Sequence, residues 1–451
     1  MKPNHYPPGP PGGLFGMQPT AEFLRDPLAF VTRLPHDYGD IIYNRFGPYD
    51  MYQVHHPDLV RQVLVTDAKK FHKWDRIKKV FGKAANGLFI DDGDHWRQHR
   101  KLVQPAFHTR RIGNYADIVV QKTQLMIDSV SDGQPFDMLH KMTELAMRVI
   151  AKVLFDVDLD ERTHPIAVQL GTIIEMLTLE SMNLLHAPDW MPTPRNLREN
   201  KALHDVRTFL MQVIMERRTS GMDHGDLLSA LVFTQDEDGN GLSDVEIYDE
   251  IVTLFLAGHD TTANGLAWMW YLLSKHPEAQ MKLSDEVMTV LHGRTPVLAD
   301  LPALSYTEMC FKEAMRFYPP VWLIQRQAVE PIEIAGYTIA PGSVVQLSPW
   351  ALHHDSRYWE DSLTFKPERF TKQGEHDVGY AYVPFGSGPR VCIGEHLAMM
   401  EAKIVTAMLA SRLKLEMIEG QTIIPEAQIT LRPKDGLMMR AFTLPGASAG
   451  Q

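Results

Sequence analysis

The 451-residue sequence predicts a mainly α-helical protein with a smaller β region. Residues 110–220 are mostly amphipathic at helical spacing, and residues 244–274 continue an apolar pattern for longer than an average globular helix. Alternating stretches at 40–54 and 413–442 indicate strands near both ends. Length alone favours two or three domains, but we expect one domain over residues 1–451, with an extended Pro/Gly-rich segment at 1–15 and a frayed tail at 446–451.

Charge and cysteine content restrict the function classes. The chain carries 45 Lys and Arg against 56 Asp and Glu residues, so its formal charge of −11 argues weakly against nucleic acid as a partner. Cys310 and Cys392 fall in different predicted helices and cannot form a disulfide framework, so a reducing cytoplasm is the expected location. The sequence contains no secretory h-region and no run of about 18 apolar residues, so we expect neither export nor a membrane span.

The first hundred residues predict a hairpin and three short helices. Gly47 and Pro48 interrupt the alternating stretch at 40–54, which predicts two strands, and residues 57–64 predict a helix. Residues 71–89 mix basic and aromatic side chains, which suits nucleic acid, but a solvated helix face followed by an apolar loop is favoured. In the helix predicted from residue 91, Trp96 and Arg100 share a face. Without further context, this pair also fits an ordinary helix with a half-buried Trp and an exposed Arg.

The long helix is predicted to begin at Ser243, with Glu246 completing a capping box. Its centre, Ala257-Gly258-His259-Asp260-Thr261-Thr262, contains poor helix formers that weaken it by about 2 kcal/mol relative to alanine. Ala257 and Gly258 open a groove, and a Thr hydroxyl can donate to the carbonyl four residues earlier. Such a groove has room for dioxygen and water, although a kinked buried helix without chemistry also fits.

Several further elements are predicted along the chain. Residues 176–185 are apolar enough for core packing or for lining a cavity. Glu313 and Arg316 lie three apart on a predicted helix, where an exposed pair would contribute only a few tenths of a kcal/mol. Residues 331–336 and 338–345 are predicted to pair as strands, residues 371–382 to be irregular, and residues 430–433 to form a turn.

The loop at residues 385–394 carries the strongest chemical signal. Cys392 precedes an apolar helical segment, and a thiolate at a helix N-terminus has a lowered pKa and ligates metals readily. Gly386, Gly388 and Gly394 would let the backbone approach a flat cofactor. Phe385 would then cover one face of the cofactor, and Arg390 could reach an anionic group at its edge. A lone intracellular cysteine is otherwise most often a buried small hydrophobe.

The pattern Phe-x-x-Gly-x-Arg-x-Cys-x-Gly at these positions resembles the haem-binding signature of the cytochrome P-450 family. The resemblance implies the family's fold, in which a long central helix lies over haem b. It also implies that Cys392 holds the haem iron as thiolate. Ala257, Gly258, Phe385 and Arg390 would then contact the cofactor.

Three further motifs resemble the same family in the same order. Ala-Gly-x-Asp-Thr is similar to its oxygen-activation motif, which implies that Thr261 hydrogen-bonds the dioxygen and that Asp260 relays protons. The resemblance places Trp96, Arg100 and Arg326 at the haem propionates. It also implies a structural triad behind the cysteine loop, formed by Glu313, Arg316 and Arg369.

The implied reaction is insertion of one atom of dioxygen into a C–H or C=C bond of a lipophilic substrate. Electrons would come from separate proteins, either ferredoxin with its reductase or a flavodoxin. The expected docking face lies on the cysteine side, with Arg97, Lys101 and Lys403 as a basic patch. Two alternatives remain open: a peroxygenase that uses hydrogen peroxide, and a non-catalytic haem sensor.

The substrate is expected to be a terpenoid, a polyketide or a fatty acid. The candidate pocket residues are all apolar or aromatic: Phe81, Leu88, Phe89, Leu254, Val321, Trp322 and Ile429. Tyr49 and Asp50 stand near the position where some fatty-acid hydroxylases of the family place a cation, which favours a neutral substrate. Lys79 or Arg45 could still hold a carboxylate, so fatty acids remain possible.

Overall fold

A computed structural model describes residues 6–13, 16–158, 164–182, 188–371, 373–374 and 378–444. The helices, numbered along the chain, are α1 (Met17–Arg25), α2 (Pro27–Tyr38), α3 (Pro57–Arg61), α4 (Asp75–Phe81), α5 (Gly93–Val103), α6 (Thr109–Gly113), α7 (Ala116–Asp128), α8 (Met138–Phe155), α9 (His164–Met182), α10 (Pro194–Ser220), α11 (Leu227–Phe233), α12 (Asp244–Lys275), α13 (Pro277–Leu291), α14 (Ser305–Phe317), α15 (Pro349–His353) and α16 (Glu395–Arg412). The mainly α prediction is confirmed.

Small sheets flank the helices. The strands are β1 (Ile41–Phe46), β2 (Tyr49–Val54), β3 (Phe71–His72), β4 (Pro135–Asp137), β5 (Ile324–Ala328), β6 (Ile332–Ile334), β7 (Tyr337–Ile339), β8 (Val344–Leu347), β9 (Leu413–Met417), β10 (Pro425–Ala427), β11 (Leu431–Pro433) and β12 (Met438–Thr443). The largest sheet has five strands in the order β1-β2-β8-β5-β3. Strands β4-β12-β9, β10-β11 and β6-β7 form smaller sheets. The predicted hairpin is confirmed, with Ile41 opposite Val54 and Phe46 opposite Tyr49.

Helix α12 packs against α8, α10 and α14 and organises the helical core. Its predicted capping box is present: the Glu246 N–H donates to Ser243 Oγ at 3.3 Å, and the Ser243 N–H donates to the Glu246 carboxylate at 2.8 Å. The helix buries side chains around its circumference, including Trp268 and Trp270, which are 0% and 1% exposed. Because burying one large apolar side chain contributes about 2 kcal/mol, this packing offsets the weak helix formers at its centre.

The strand predicted at 338–345 is wrong in its extent. Strand β7 ends at Ile339, and the chain then turns through Gly342, whose φ of 84° lies in the left-handed region. After the turn, Val344 of β8 pairs with Met51 of β2 and with Gln327 of β5. A glycine turn therefore divides the predicted strand between two sheets.

The turn predicted at 430–433 is also misplaced. The bend occupies residues 428–430, and β11 follows it. Leu431 is fully buried, and its N–H donates to the Pro320 carbonyl at 2.9 Å. Pro433 lies opposite Pro425 at the end of the β10–β11 pair, where a strand tolerates proline. The shift places Thr430 in the bend, beside α12.

Other predicted segments are only partly within the described residues. The helix predicted at 57–64 is α-helical to Arg61 and then forms a π-helical turn, Gln62–Thr66. Residues 183–185 of the apolar run, parts of the irregular segment at 371–382 and the tail at 446–451 lie outside the described residues. Of the N-terminal segment, residues 6–13 lie without helix or strand, and Tyr43 of β1 donates its N–H to the Pro8 carbonyl at 3.0 Å.

The structure brings Glu313, Arg316 and Arg369 together. Arg316 donates from Nε and Nη2 to the two oxygens of Glu313 at 2.8 and 2.9 Å, and Arg369 Nε donates to the same carboxylate at 3.0 Å. Arg316 Nη1 also donates to the carbonyls of His353 and Ser362, both at 2.8 Å. Glu313 and Arg316 are 0% exposed. The network therefore ties α14 to α15 and to the segment after it.

Arg316→Leu is expected to lower the free energy of unfolding by about 3–5 kcal/mol, because it leaves the buried Glu313 carboxylate without its main partner. Denaturant titration followed by circular dichroism measures the loss. Arg148→Leu is the matched control, since Arg148 also pairs within its helix, with Glu144 at 2.9 Å, but is 39% exposed. Its loss should stay below about 1 kcal/mol. Similar losses in both variants would contradict a special role for the buried network.

Candidate active site

A cavity of about 550 Å³ lies between α12 and the loop before α16. Most of the predicted pocket residues line it: Phe81, Phe89, Leu254, Val321, Trp322 and Ile429. Leu88 does not belong to this lining. Its side chain is buried elsewhere, and its N–H donates to the Glu250 carboxylate at 2.7 Å. Leu177, from the apolar run on α9, also lines the cavity.

Cys392 reaches the cavity from the loop before α16. Its N–H donates to the Phe385 carbonyl at 2.9 Å, closing a turn in which Gly386 and Gly388 have φ values of 71° and 70°. Only glycine adopts such values without strain. A Cβ on Gly388 would also lie 2.2 Å from the Leu64 carbonyl oxygen, so the loop packs directly on the π-helical turn. Phe385 lines the same cavity, and the loop therefore presents a thiol and an aromatic ring to one space.

The sequence predicted a lowered pKa for the Cys392 thiol, and this prediction is wrong for the polypeptide without a metal at the sulfur. Burial raises the pKa of the Cys392 thiol and outweighs the Gly394 N–H and the Arg100 charge, which lower it. A metal cation at the sulfur reverses this balance, because a coordinating thiol is deprotonated. The second cysteine, Cys310, is fully buried in α14, and burial raises the pKa of its thiol well above the usual value.

The centre of α12 lines the same cavity as Cys392. Thr261 Oγ1 donates to the Ala257 carbonyl at 2.7 Å, which is the predicted bond to the residue four positions earlier. Ala257 is exposed to the cavity. A Cβ on Gly258 would lie 3.1 Å from Ile150 Cδ1, so glycine lets α12 pack closely on α8. Ala257 and Gly258 both line the cavity, and the groove predicted from these small residues stays a prediction.

Asp260 and His259 occupy different environments. The Asp260 carboxylate accepts a hydrogen bond from the Thr430 hydroxyl, and Thr430 Oγ1 accepts one from Asn264 Nδ2 at 3.1 Å. His259 is buried and donates from Nδ1 to the Phe255 carbonyl at 3.0 Å. Burial lowers the pKa of the His259 imidazole. Asp260 is thus held by a side chain from the bend before β11, which the prediction missed because it placed a turn over β11.

Three cations meet at the cavity wall: Arg326, which is buried, and Lys73 and Arg390, which are half-buried. Arg390 forms an ion pair with Asp92, and its guanidinium lies 4.3 Å from the ring centroid of Trp96. Burial and the charge of Arg390 lower the pKa of Arg326 to about 10. Burial, with the charges of Arg326 and Arg390, holds the pKa of Lys73 well below its usual value. The negative charge of Asp92 raises the pKa of both Arg326 and Lys73 and so opposes both shifts. The net lowering of the two pKa values shows that positive charge is in excess at this wall.

Trp96 and Arg100 lie beside the cysteine loop rather than on the cavity wall. Both line a neighbouring surface depression. Arg100 Nη2 donates to the Val391 carbonyl at 3.0 Å, one residue before Cys392. Burial lowers the pKa of Arg100. The two side chains therefore brace the loop and the Arg390 guanidinium, while Arg326 and Arg390 face the cavity directly.

Sequence reasoning missed several titratable residues of the cavity, Lys73 and Glu401 among them. Lys73 was assigned to a solvated helix face, but it follows β3 and lines the cavity. Glu401 is 5% exposed on α16, and burial raises its pKa to about 8, which favours the neutral acid. The spacing of residues in the sequence could have identified Glu401. Gly394, Leu397, Ala398 and Glu401 all line the cavity and follow the spacing of one helix face.

The predicted basic docking patch is partly wrong. Lys403 is buried, and its ammonium forms an ion pair with Glu308 at 2.7 Å. This part of α16 faces the core, which the apolar residues around Lys403 already suggested. Arg97 and Lys101 are exposed on α5, and Arg97 pairs with Asp94.

Residues 7–440 match the family model for cytochrome P-450. The chain belongs to the cytochrome P-450 family. A cyclooctat-9-en-7-ol 5-monooxygenase of Streptomyces melanosporofaciens is 37% identical, over 92% of this chain and 90% of that protein. A pentalenene oxygenase of Streptomyces avermitilis is 32% identical over 93% of each chain. The crystal structure of the cytochrome P-450DA heme domain aligns with a TM-score of 0.87, at 25% identity and over 97% of both chains.

This cytochrome P-450 is therefore a monooxygenase whose cofactor is haem with a cysteine thiolate as axial ligand. The residues of the site fit that cofactor: Cys392 opens to the cavity whereas Cys310 is buried in the core, and the excess of cations at the cavity wall suits the two propionates. The family also implies a lipophilic substrate, dioxygen and an electron donor. Among the described segments, no helix has the length and apolar character needed to cross a membrane.

Proposed function

We propose that this cytochrome P-450 inserts one atom of dioxygen into a C–H or C=C bond of a neutral, lipophilic terpenoid. The observation that carries the proposal is the charge of the cavity wall. Its lining is mainly apolar, and each cation among the described lining residues already has a partner or belongs to the cluster suited to propionates. A substrate carboxylate would lack a free cation there, and an unpaired buried carboxylate is costly.

The cations outside that cluster are Arg76 and Arg432. Arg432 pairs with Glu426 at 3.1 Å, and Arg76 donates to the Glu180 carbonyl at 3.1 Å. Arg45 and Lys79, considered from the sequence as carboxylate anchors, do not belong to the described lining. These placements favour a neutral substrate over a fatty acid.

The names of two relatives support the terpenoid class. One is called a cyclooctat-9-en-7-ol 5-monooxygenase and the other a pentalenene oxygenase. The cavity holds both the haem and the substrate, and its mainly apolar lining suits a hydrocarbon ligand beside the cofactor. Phe81 and Phe89, with ring centroids 5.0 Å apart, add aromatic surface to its wall.

We assign the following roles to the residues of the site. Cys392 would hold the haem iron, and Arg326, Arg390 and Lys73 would bind its propionates, together with Trp96 and Arg100 as the sequence predicts. The haem, when bound, supplies dioxygen activation with electrons from the donor. Thr261 Oγ1 is the hydroxyl on α12 placed to donate a hydrogen bond into the cavity on rotating away from the Ala257 carbonyl.

Asp260 is the group on α12 that would move protons towards the cavity. Its carboxylate is partly exposed and is oriented by the Thr430 hydroxyl, so it can exchange protons with water and pass them on. A peroxygenase or a haem sensor does not require this acid and hydroxyl pair, which favours a monooxygenase driven by a donor.

The electron donor is proposed to be a separate ferredoxin with its reductase, or a flavodoxin. Arg97 and Lys101 remain as candidates for its docking site, since both lie exposed on α5 beside Arg100 and the cysteine loop. An acidic donor would be steered there by charge. Both cysteines are free, which fits a reducing compartment, and we place the enzyme in the cytoplasm as a single-domain protein.

The spin state of the purified ferric enzyme tests the substrate class. Neutral terpenoids should give a saturable shift of the Soret band, because a fitting ligand displaces water from the iron, whereas long-chain fatty acids should give a much weaker shift. A saturable response to fatty acids alone would overturn the neutral-substrate proposal. A response to neither class would remove support for both.

Thr261→Ala should uncouple electron use from oxygenation, lowering product formed per NAD(P)H consumed by about tenfold or more while hydrogen peroxide accumulates. Product yield and peroxide are measured together in the reconstituted system. Thr172→Ala is the matched control, since Thr172 makes the same type of bond, to the Val168 carbonyl at 3.2 Å, on the exposed face of α9. Unchanged coupling in Thr261→Ala would rule out its proposed role.

Lys101→Glu should raise the KM for the donor several-fold at low salt and leave substrate binding unchanged, because it weakens steering of an acidic partner. The effect should shrink as ionic strength rises. Lys414→Glu, at an exposed lysine of β9 that pairs with Glu416, is the control. Equal KM values for both variants would exclude this docking face.

A further inference from the structure

A second cluster of ligating side chains lies where α5 meets the first half of α12. One nitrogen or oxygen each from Asp91, His95 and His99 all lie within 4.8 Å of one another. His95 and His99 are spaced four apart and share one face of α5, and Asp91 lies just before the first turn of that helix. Glu250 of α12 approaches from the other side, with its Oε1 3.4 Å from His99 Nδ1. None of these four side chains was given a role in the haem site.

The buried members of this cluster have polar atoms that make no hydrogen bond. His99 is 3% exposed, and among the described residues neither of its ring nitrogens makes a hydrogen bond, although Nδ1 faces the carboxylates of Glu250 and Asp91 as a possible ion pair. Glu250 is 0% exposed, and its Oε2 is also unpartnered within the described part of the chain. Its Oε1 accepts from the Leu88 N–H at 2.7 Å, which fixes the carboxylate. Buried polar atoms without partners are rare because they are costly, so these atoms indicate a missing ligand.

We propose that Asp91, His95, His99 and Glu250 form a binding site for a divalent transition-metal ion, with Zn²⁺ as the best match. Two imidazoles and two carboxylates are a donor set that zinc accepts, and the two carboxylates balance the charge of the ion. Zinc bonds to nitrogen and oxygen of about 2.0–2.2 Å place neighbouring tetrahedral ligands about 3.3–3.5 Å apart.

The distances around His99 come near that geometry, whereas Glu250 stands outside the group of three ligand atoms that lie within 4.8 Å of one another, so the ion would draw its carboxylate in. The 3.4 Å between His99 Nδ1 and Glu250 Oε1 falls in the range, and the 3.8 Å between His99 Nδ1 and Asp91 Oδ2 is slightly longer. Asp91 Oδ2 and His95 Nδ1, 2.6 Å apart, share a hydrogen bond that the ion replaces. Glu246 stands 3.7 Å from His95 Nε2, but its other oxygen is held by the capping box, so it remains at the edge of the site.

The site would clamp α5 to α12 across the side of the haem cavity. His95 is 61% exposed, so the ion can reach the site from solvent on that side. His99 and Glu250 are buried and would bind the ion from the protein interior. The Asp91 carbonyl accepts from Arg390 Nη2 at 2.7 Å, so a metal held by Asp91 also fixes the residue that positions a propionate cation. Bound zinc is therefore expected to stabilise the folded holoenzyme.

Equilibrium dialysis of the untagged holoenzyme tests the site. The protein is first stripped with EDTA and then dialysed against about 10 µM zinc chloride, a concentration well above the expected dissociation constant of a built site. Metal content is measured by mass spectrometry against haem absorbance. We expect a single zinc ion per haem in the wild type and a rise in Tm of several degrees. His95→Ala, at an exposed position that folding does not require, should lose both effects, and so should His99→Gln.

His36→Ala is the matched control, because His36 is an exposed histidine, 89% accessible, that pairs with a single carboxylate, Asp37, at 3.1 Å. It should bind zinc like the wild type. Absence of stoichiometric zinc in the wild type would overturn the proposal and leave a His99–Glu250 ion pair as the explanation of the cluster. Equal zinc in the wild type and His95→Ala would also overturn it, as adventitious surface binding. Neither result depends on the substrate, so failure of the terpenoid proposal is distinguishable.

Discussion

Burial of helix α12 is the constraint on which the rest of the structure depends. The helix must carry Gly258, Asp260 and Thr261 at its centre, and these residues alone would not sustain a helix. Packing on several neighbouring helices supplies the missing stability, and Trp268 extends it by donating to the Leu431 carbonyl at 3.0 Å. The bend just before Leu431 also contributes the Thr430 hydroxyl, which donates to Asp260. The strands near the C-terminus thus hold the polar part of the helix in register with the cavity.

Burial of charge shapes the opposite side of the cavity. The chain alone leaves Arg326 and Lys73 facing one another with too little negative charge, and burial raises the pKa of the Cys392 thiol. Each of these unfavourable features is relieved by one group that brings a metal cation to the sulfur and two carboxylates to the cations. The site is therefore built to a large extent by its cofactor's charges, and haem loss should loosen it.

The sequence predicted the helical class, the hairpin and the capping box of α12, because each depends mainly on residues close together in the sequence. The sequence-based prediction failed where contacts between segments distant in the sequence determine the structure. Gly342 divides a predicted strand because its two halves pair in different sheets, and Lys403 is buried because Glu308 of α14 meets it. The same holds in the cavity. Lys73 belongs to the cation cluster only because Arg326, distant in the sequence, lies beside it. No local sequence pattern could therefore have identified Lys73 as a site residue.

Helix α5 connects the two polar centres of the molecule. Positions 96 and 100 form one row along the helix and lie against the cysteine loop, through the Arg390 guanidinium and the Val391 carbonyl. Positions 95 and 99, one residue earlier, form the adjacent row and point towards Glu246 and Glu250 of α12. Because both rows of side chains make contacts, α5 cannot rotate about its axis to improve the contacts of one row without losing those of the other. Any ligand on the α12 side is consequently coupled to the geometry of the haem edge, even though no residue belongs to both sites.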